Sequence, residues 1–426
     1  MNSLLELSKD TAQYMVDGIR YVCDNFKNRY PGSQSERDAQ AYFKSELEQW
    51  SDNVEMEDFD VYPHSFMGWI PPSGLIGIIS VLLFTFRGDS FASPIIATVL
   101  TLLALSCFVF QFLLYRPFID KLFPKKVSRN VMAKRAPSGE LKRRIIFGGH
   151  ADAAWEWTYS YYGQLKTLAP VMGGSIGGLF FISVMNIVWL VKSIMMGSAN
   201  VDSTFWYVIG IIELVLIPFF FLIMFFINWK IVVDGANDNL SACYVAMGVL
   251  KEMADNDMRF ENTEVCCLLT GSEEAGLRGA LDYAKRHKED LSDVETIYIS
   301  MDTMREIEQL QVYTRGQTGT QKDSEEVGDL ITEAGKNCGV DMPRAELYPG
   351  AVDAEGFSRH GLLAAGFCGV NHNPKTYYHT RLDTADNISE DCINLSLDIC
   401  LECAKLYDEN QGLAKYYENR KAKKNK

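Results

Sequence analysis

The chain has 426 residues, enough for one large domain carrying insertions, and 47% of them are hydrophobic. Its formal net charge of −14 excludes the basic surface that phosphate binding needs, and with it a nucleic-acid partner.

The first residues, MNSLLELSKD, have no basic run and no long apolar stretch, so they do not read as a signal peptide. Ser8 is placed to cap a helix reaching about Phe26, with Met15, Ile19, Val22 and Phe26 at helical spacing. Pro31-Gly32 breaks the pattern, a second helix is predicted over about Ser35–Trp50, and Val54, Met56 and Val61 mark a strand.

The composition then changes. No charge occurs from Ser65 to Phe86, nor from Ser90 to Tyr115, and only Arg87-Gly88-Asp89 separates the two runs. Each is long enough to span about 30 Å of hydrocarbon, so the pair reads as a transmembrane hairpin. A second hairpin is predicted from Thr167 to Lys192 and from Ser203 to Trp229. Its return limb carries one acid, Glu213, read either as functional or as a structural acid facing Asn186. The expected organisation is therefore a domain in three parts, 1–64, 117–166 and 230–415, with hairpins at 65–116 and 167–229 and a disordered basic tail at 416–426. Arg116, Lys121, Lys125, Lys126, Arg129, Lys166 and Lys230 lie on the domain's side of the hairpins, against Arg87 and Lys192 on the other. That bias places the domain in the cytoplasm of an integral membrane protein.

Outside the hairpins, strand-like runs at Ile145–Phe147, Glu264–Leu269 and Thr296–Ser300 alternate with helical patterns. Those patterns lie at Asn239–Met253, Ala275–Lys288, Glu325–Lys336 and about Glu390–Asp408. The alternation predicts an α/β fold, a mostly parallel mixed sheet flanked by helices. Cys266 and Cys267 should point to opposite faces of a strand, and Cys400 and Cys403 read as buried small hydrophobes. The cysteine usage suits a reducing compartment.

Five short motifs carry chemistry, four of them just past the end of a strand. Gly148-Gly149-His150-Ala151-Asp152 offers an imidazole and a carboxylate that would fix its tautomer. Asp234-Gly235-Ala236-Asn237-Asp238-Asn239 offers a carboxylate, which either caps a helix or bridges two cations. Thr270-Gly271-Ser272-Glu273-Glu274-Ala275-Gly276 offers two adjacent acids. They read either as exposed residues of a helix's first turn, or as a base (Glu273) beside a metal ligand (Glu274). Ser300-Met301-Asp302 and Tyr377-Tyr378-His379-Thr380-Arg381-Leu382-Asp383-Thr384 complete the set. His150, Asp238, Glu274, Asp302 and His379, with one acid shared, give two Zn²⁺ ions mixed nitrogen and oxygen ligands. His64, His287, His360 and His372 lack a ligand-like setting and read as structural or surface residues.

The series GGHAD, GANDN, GSEEAG, a strand-terminal Asp and YYHTRLDT resembles metallopeptidase family 28, which holds di-zinc aminopeptidases, glutamate carboxypeptidases and glutaminyl cyclases. The resemblance extends to RYPGSQSERDAQAYFKSEL but not to the hairpins, which look like insertions. It implies that Asp238 bridges both zincs, that His150 and Asp302 bind one, and that Glu274 and His379 bind the other. It implies Glu273 as general base, Asp152 as orienter of His150, and Tyr378 as a group steadying the tetrahedral intermediate. It also implies a cis peptide at Asp238-Asn239. Asp353 resembles a family position without an assigned role. The expected activity is aminopeptidase, acting on peptide substrates at a lipid bilayer. The alternatives are a carboxypeptidase, a glutaminyl cyclase, or an inactive membrane scaffold or receptor. The second hairpin leaves soon after Asp152 and returns just before Asp238, so its base is expected to shape substrate access.

Overall fold

Residues 9–201, 203–316, 321–345, 350–370 and 377–424 are described by a computed structural model. Its strands are β1 (Asn53–Val61), β2 (Lys126–Arg135), β3 (Arg143–His150), β4 (Trp155–Trp157), β5 (Ile227–Val232), β6 (Thr263–Thr270), β7 (Glu295–Met304), β8 (Gln311–Tyr313), β9 (Arg344–Ala345) and β10 (Leu363–Gly369). Its helices are α1 (Lys9–Asn25), α2 (Gln34–Leu47), α3 (Ser65–Gly68), α4 (Ile70–Thr85), α5 (Ala92–Ser106), α6 (Thr158–Met196), α7 (Thr204–Ile223), α8 (Ala242–Asp255), α9 (Arg278–Arg286), α10 (Glu325–Asn337), α11 (Ala354–Ser358), α12 (Glu390–Glu409) and α13 (Ala414–Lys424).

Eight strands form one mixed sheet in the order β1-β2-β6-β3-β7-β10-β8-β9. The four central strands run parallel, with Ile145 opposite both Val265 and Ile297. Every residue of β3 and β6 is buried, as expected of parallel strands covered on both faces. One face carries Phe147, Cys267 and Ile299 against Ile19 of α1, Val245 of α8, Leu330 of α10 and Leu397 of α12. The other carries Ile146, Cys266 and Tyr298 against Tyr283 of α9 and Phe357 of α11. Cys266 and Cys267 therefore do face opposite layers, and Cys400 and Cys403 are buried with free thiols. Helix starts follow their capping residues: Ser33, Ser324 and Ser389 each accept an amide of the first turn. The predicted Ser8 cap lies outside the described residues.

Four helical stretches are long and apolar enough to cross a membrane: 65–85, 92–113, 158–196 and 204–223. They pack together closely. A Cβ at Gly74 of α4 would sit 2.4 Å from the Phe220 carbonyl of α7, so only glycine permits that approach. Their outer faces expose Leu75, Val99, Val184 and Val215. Glu213 is fully buried, and neither of its oxygens finds a hydrogen bond among the described residues. The expected Asn186 contact is not made through hydrogen bonds. The Asn186 amide donates instead to Ser80 Oγ at 2.7 Å, while Thr98 donates to the Asn186 carbonyl at 3.1 Å.

Two boundaries differ from the sequence expectation. Helix α6 begins at Thr158 and kinks at Gln164, which holds φ 54° and ψ −147°. The return limb stops at Ile223, because Ile227–Val232 is a strand that pairs antiparallel with β4. The basic tail is also corrected. Ala414–Lys424 forms α13, whose Arg420 pairs with Asp329 and Glu325 of α10.

Candidate metal centre

The carboxyl edge of the parallel strands gathers the motifs. His150 is the last residue of β3, Asp302 lies two residues from the end of β7, and Glu273-Glu274 open a turn after β6. Asp238 comes from the segment between β5 and α8, and His379 from the loop after β10. The Asp238 turn needs Gly235 at φ 63°; a Cβ there would lie 2.8 Å from the Asp238 carbonyl. The Asp238-Asn239 peptide is cis. Asn239 ties this turn to β7, donating to the Met301 carbonyl at 3.0 Å and accepting the Thr303 amide at 3.1 Å.

The side chains converge. Asp238 Oδ1 lies 3.1 Å from His150 Nε2, and its Oδ2 lies 3.0 Å from His379 Nε2. His379 Nε2 is also 3.2 Å from Glu274 Oε1. His150 Nε2 is 3.8 Å from both Asp302 Oδ2 and Glu273 Oε2. Among the described residues, His150, Asp238 and Glu274 present donor atoms close enough to share one ion. Among the described residues, none of these four acids is paired with a lysine or arginine.

The resulting electrostatics are severe. Burial pushes Asp302 up to about 7, helped by the charge of Asp238. Burial likewise raises Glu273, with Glu274, Asp353 and Asp302 adding to it against His150. Burial also opposes ionisation of Asp238, but the hydrogen bonds of His150 and His379 outweigh it and hold that carboxyl far below the usual range. The raised carboxyls reflect burial and mutual repulsion and the lowered one its two imidazole partners; a divalent cation would relieve the repulsion.

A second tier of acids fixes this tier. Asp383 accepts the Asn237 amide at 2.8 Å and the Asp238 amide at 3.1 Å. Glu36, fully buried, accepts the Ser272 amide at 2.8 Å and the Ser128 hydroxyl at 2.9 Å. Asp353 accepts the Thr270 hydroxyl, at the end of β6. Sequence reasoning gave none of the three this role, although Asp383 stands inside the fifth motif and Glu36 inside the resembling N-terminal stretch. Asp152 needs a corrected description. Its carboxylate accepts the amides of Glu273 and Glu274, each at 3.0 Å. His150 Nδ1 lies closer to the Asp152 backbone carbonyl (3.2 Å) than to its carboxylate (3.5 Å). Asp152 therefore holds the acid pair as much as the imidazole.

Tyr378 stacks on the His379 ring at 4.2 Å, and Trp157 meets that ring edge-on at 4.3 Å. Both line a cleft of about 780 Å³ over the cluster. Phe66, Met67, Phe112, Met172 and Phe226, from the bases of the hairpins, line its other side. The remaining histidines stay away from the cluster. His287 pairs with Glu57 and Asp290, His360 bonds the Gly356 carbonyl, and His64 stacks between Trp155 and Trp229. His372 lies outside the described residues.

The family profile described as "Peptidase family M28" matches residues 195–404. Over that stretch the chain is similar to that family. Solved structures share the chain's fold. An aminopeptidase from Aneurinibacillus sp. strain AM-1 matches over 93% of each chain with TM-score 0.54 and 14% identity. A zinc aminopeptidase from Bacillus subtilis matches over 93% of this chain and 95% of its own, with TM-score 0.52 and 12% identity. An Acidobacteriales bacterium glutaminyl cyclase matches over 96% and 99%, with TM-score 0.52 and 12% identity. No curated protein sequence matches. The family carries zinc-dependent, peptidase-type hydrolysis. The buried imidazole–carboxylate donor set suits zinc, which takes nitrogen and oxygen ligands.

Proposed function

We propose that this chain is a membrane-anchored di-zinc aminopeptidase. The observation that carries the reading is Asp238, whose two oxygens each face a different histidine. That arrangement suits a carboxylate shared by two ions, with His150 and Asp302 completing one set and Glu274 and His379 the other. Bound zinc supplies an acidified water and a Lewis acid for the carbonyl oxygen. Glu273, beside His150 but outside both sets, takes the proton of the attacking water and returns it to the leaving amine. Burial raises the Glu273 carboxyl, which suits a group that must carry a proton part of the time. Tyr378, stacked on the His379 ring, would donate a hydrogen bond to the developing oxyanion. Asp152 holds the Glu273-Glu274 turn in register with the histidine.

Among the described residues, the cleft is lined by acids and apolar side chains without lysine or arginine. The four acids are the zinc ligands and the base, and none of the described lining side chains would neutralise a substrate's C-terminal carboxylate. This favours an aminopeptidase over a carboxypeptidase. The four apolar helices, with outward faces of Leu and Val, are read as two hairpins in a bilayer. The basic residues at their bases put the peptidase layer on the cytoplasmic side.

Metal analysis and the Glu273→Gln variant test the reading together. Purified protein should hold two zincs per chain, and Glu273→Gln should keep both while losing about 10²–10⁴-fold in turnover. Zinc at one per chain removes the shared-ligand reading, zinc-free protein removes the enzyme, and an active Glu273→Gln removes the base.

A further inference from the structure

A second pocket, partly open and enclosing about 550 Å³, lies among the four helical stretches and Phe226. All four long helical stretches contribute to its wall, through residues such as Ile70, Phe108, Ile176 and Ile223. Phe112, Met172 and Phe226 line both this cavity and the cleft over the metal cluster. Those three side chains border both spaces. Met172, unbranched and half-buried, is the most adaptable of them.

The wall decides what fits. Among the described residues its polar side chains are Ser73, Ser175 and the Trp69 indole; the indole donates to the Phe66 carbonyl and the Ser175 hydroxyl to the Val171 carbonyl at 2.6 Å. A peptide segment laid there would leave its amide groups unpaired in an apolar surround, at a cost of several kcal/mol each. A hydrocarbon chain carries no such groups. We propose that the bundle cavity holds an unbranched hydrocarbon chain of the substrate, attached within a residue of the scissile amide. The substrate class is then a lipidated amino acid or peptide with a free amine, rather than an all-peptide chain. The inference rests on the amide-hydrolase reading of the metal cleft. The chain's point of attachment is either the leaving amine or the side chain of the N-terminal residue. Both use the same apolar cavity.

The zinc-loaded protein in lipid nanodiscs tests it with two series. One is leucine alkyl amides from ethyl to decyl; the other is dipeptides whose N-terminal residue carries a lengthening n-alkyl side chain. In one series kcat/KM should rise by up to about fourfold per methylene before levelling, and the series that rises gives the point of attachment. Ile176→Trp, which fills the cavity away from the metals, should flatten that rise and leave the shortest member unchanged. A decyl substrate ending in a diazirine, irradiated with Glu273→Gln protein, should label Phe108, Met172 or Ile176 and be displaced by unlabelled substrate. Flat profiles in both series, or labelling confined to the outward helix faces, overturn the inference while leaving the peptidase standing. A zinc-loaded protein that hydrolyses neither series removes the peptidase reading, and the labelling pattern then still decides what the cavity binds.

Discussion

Asp383 shows how much of this site rests on residues that touch no substrate. It is fully buried, and its carboxylate takes two consecutive backbone amides, of Asn237 and Asp238, together with the Asn237 side chain at 2.7 Å. Those three donors fix the direction in which Asp238 presents its oxygens to the two histidines. Alanine at this position leaves buried amides without acceptors, at about 1–3 kcal/mol each. It also frees the turn that carries the shared carboxylate. We expect Asp383→Ala to weaken zinc binding by about 10–100-fold, read by competition against a chelator of known affinity. Affinity within twofold of the parent would mean that Gly235 and the Asn239 bonds to β7 orient Asp238 unaided.

Among the elements, those with strong periodicity were legible in the sequence. The strands β3, β6 and β7 announced themselves as apolar runs ending in glycine or acid, and α8, α10 and α12 as amphipathic repeats. His150, Glu274 and Asp302 were legible for the same reason, because each stands at or just past the end of such a run, whereas Asp238 and His379 were legible through their motifs. Strand β10 escaped, since Leu363–Gly369 is mostly small residues whose strand propensity is weak and whose place is set by β7 and β8. Strand β5 was hidden by the apolar helix before it. Helix α13 read as a charged tail because what ties it down, Tyr416 buried in the core and the Arg420 pairs with α10, joins distant elements that no local pattern reveals. The supports from Glu36 and Asp383 join residues more than a hundred positions apart, so spacing alone could not show them. The hairpins pose a sharper question. Glu213 of α7 is buried with both oxygens unpartnered among the described residues, whereas the Asn186 side chain of α6 donates to the hydroxyls of Ser80 and Thr101. Removing an unpaired polar group costs nothing in bonds, so Glu213→Met should leave the thermal midpoint in detergent unchanged or higher. Asn186→Leu should lower it, at about 0.6–1.7 kcal/mol per lost interhelical bond. A Glu213→Met protein less stable than Asn186→Leu would show that the acid has a partner in the assembled protein.

At the scale of the whole molecule, the peptidase layer and the helical bundle meet along one seam, and the metal cleft lies on it. His64, directly before α3, stacks between Trp155 of β4 at 4.9 Å and Trp229 of β5 at 5.1 Å. It thereby locks the entry of the first hairpin to the small sheet at the base of the second. Burial lowers the pKa of this imidazole from 6.5, and the charge of Lys126 lowers it further. The fold therefore prefers His64 neutral. Above pH 6.5 both folded and unfolded chains carry it neutral, and its contribution to the seam is complete. As the pH falls below 6.5 the unfolded chain takes up the proton first, and the contribution is lost as the pH passes through the lowered folded value. The parent should thus lose thermal stability relative to His64→Phe on acidification below pH 6.5, and the two should run parallel above it. Differencing the two proteins cancels the titration of the metal cluster, which both share. The competing effect is attraction of an imidazolium to the two indole faces. If the parent instead gains on His64→Phe as the pH falls, that attraction exceeds the cost of burial, and the seam tightens in acid rather than loosening.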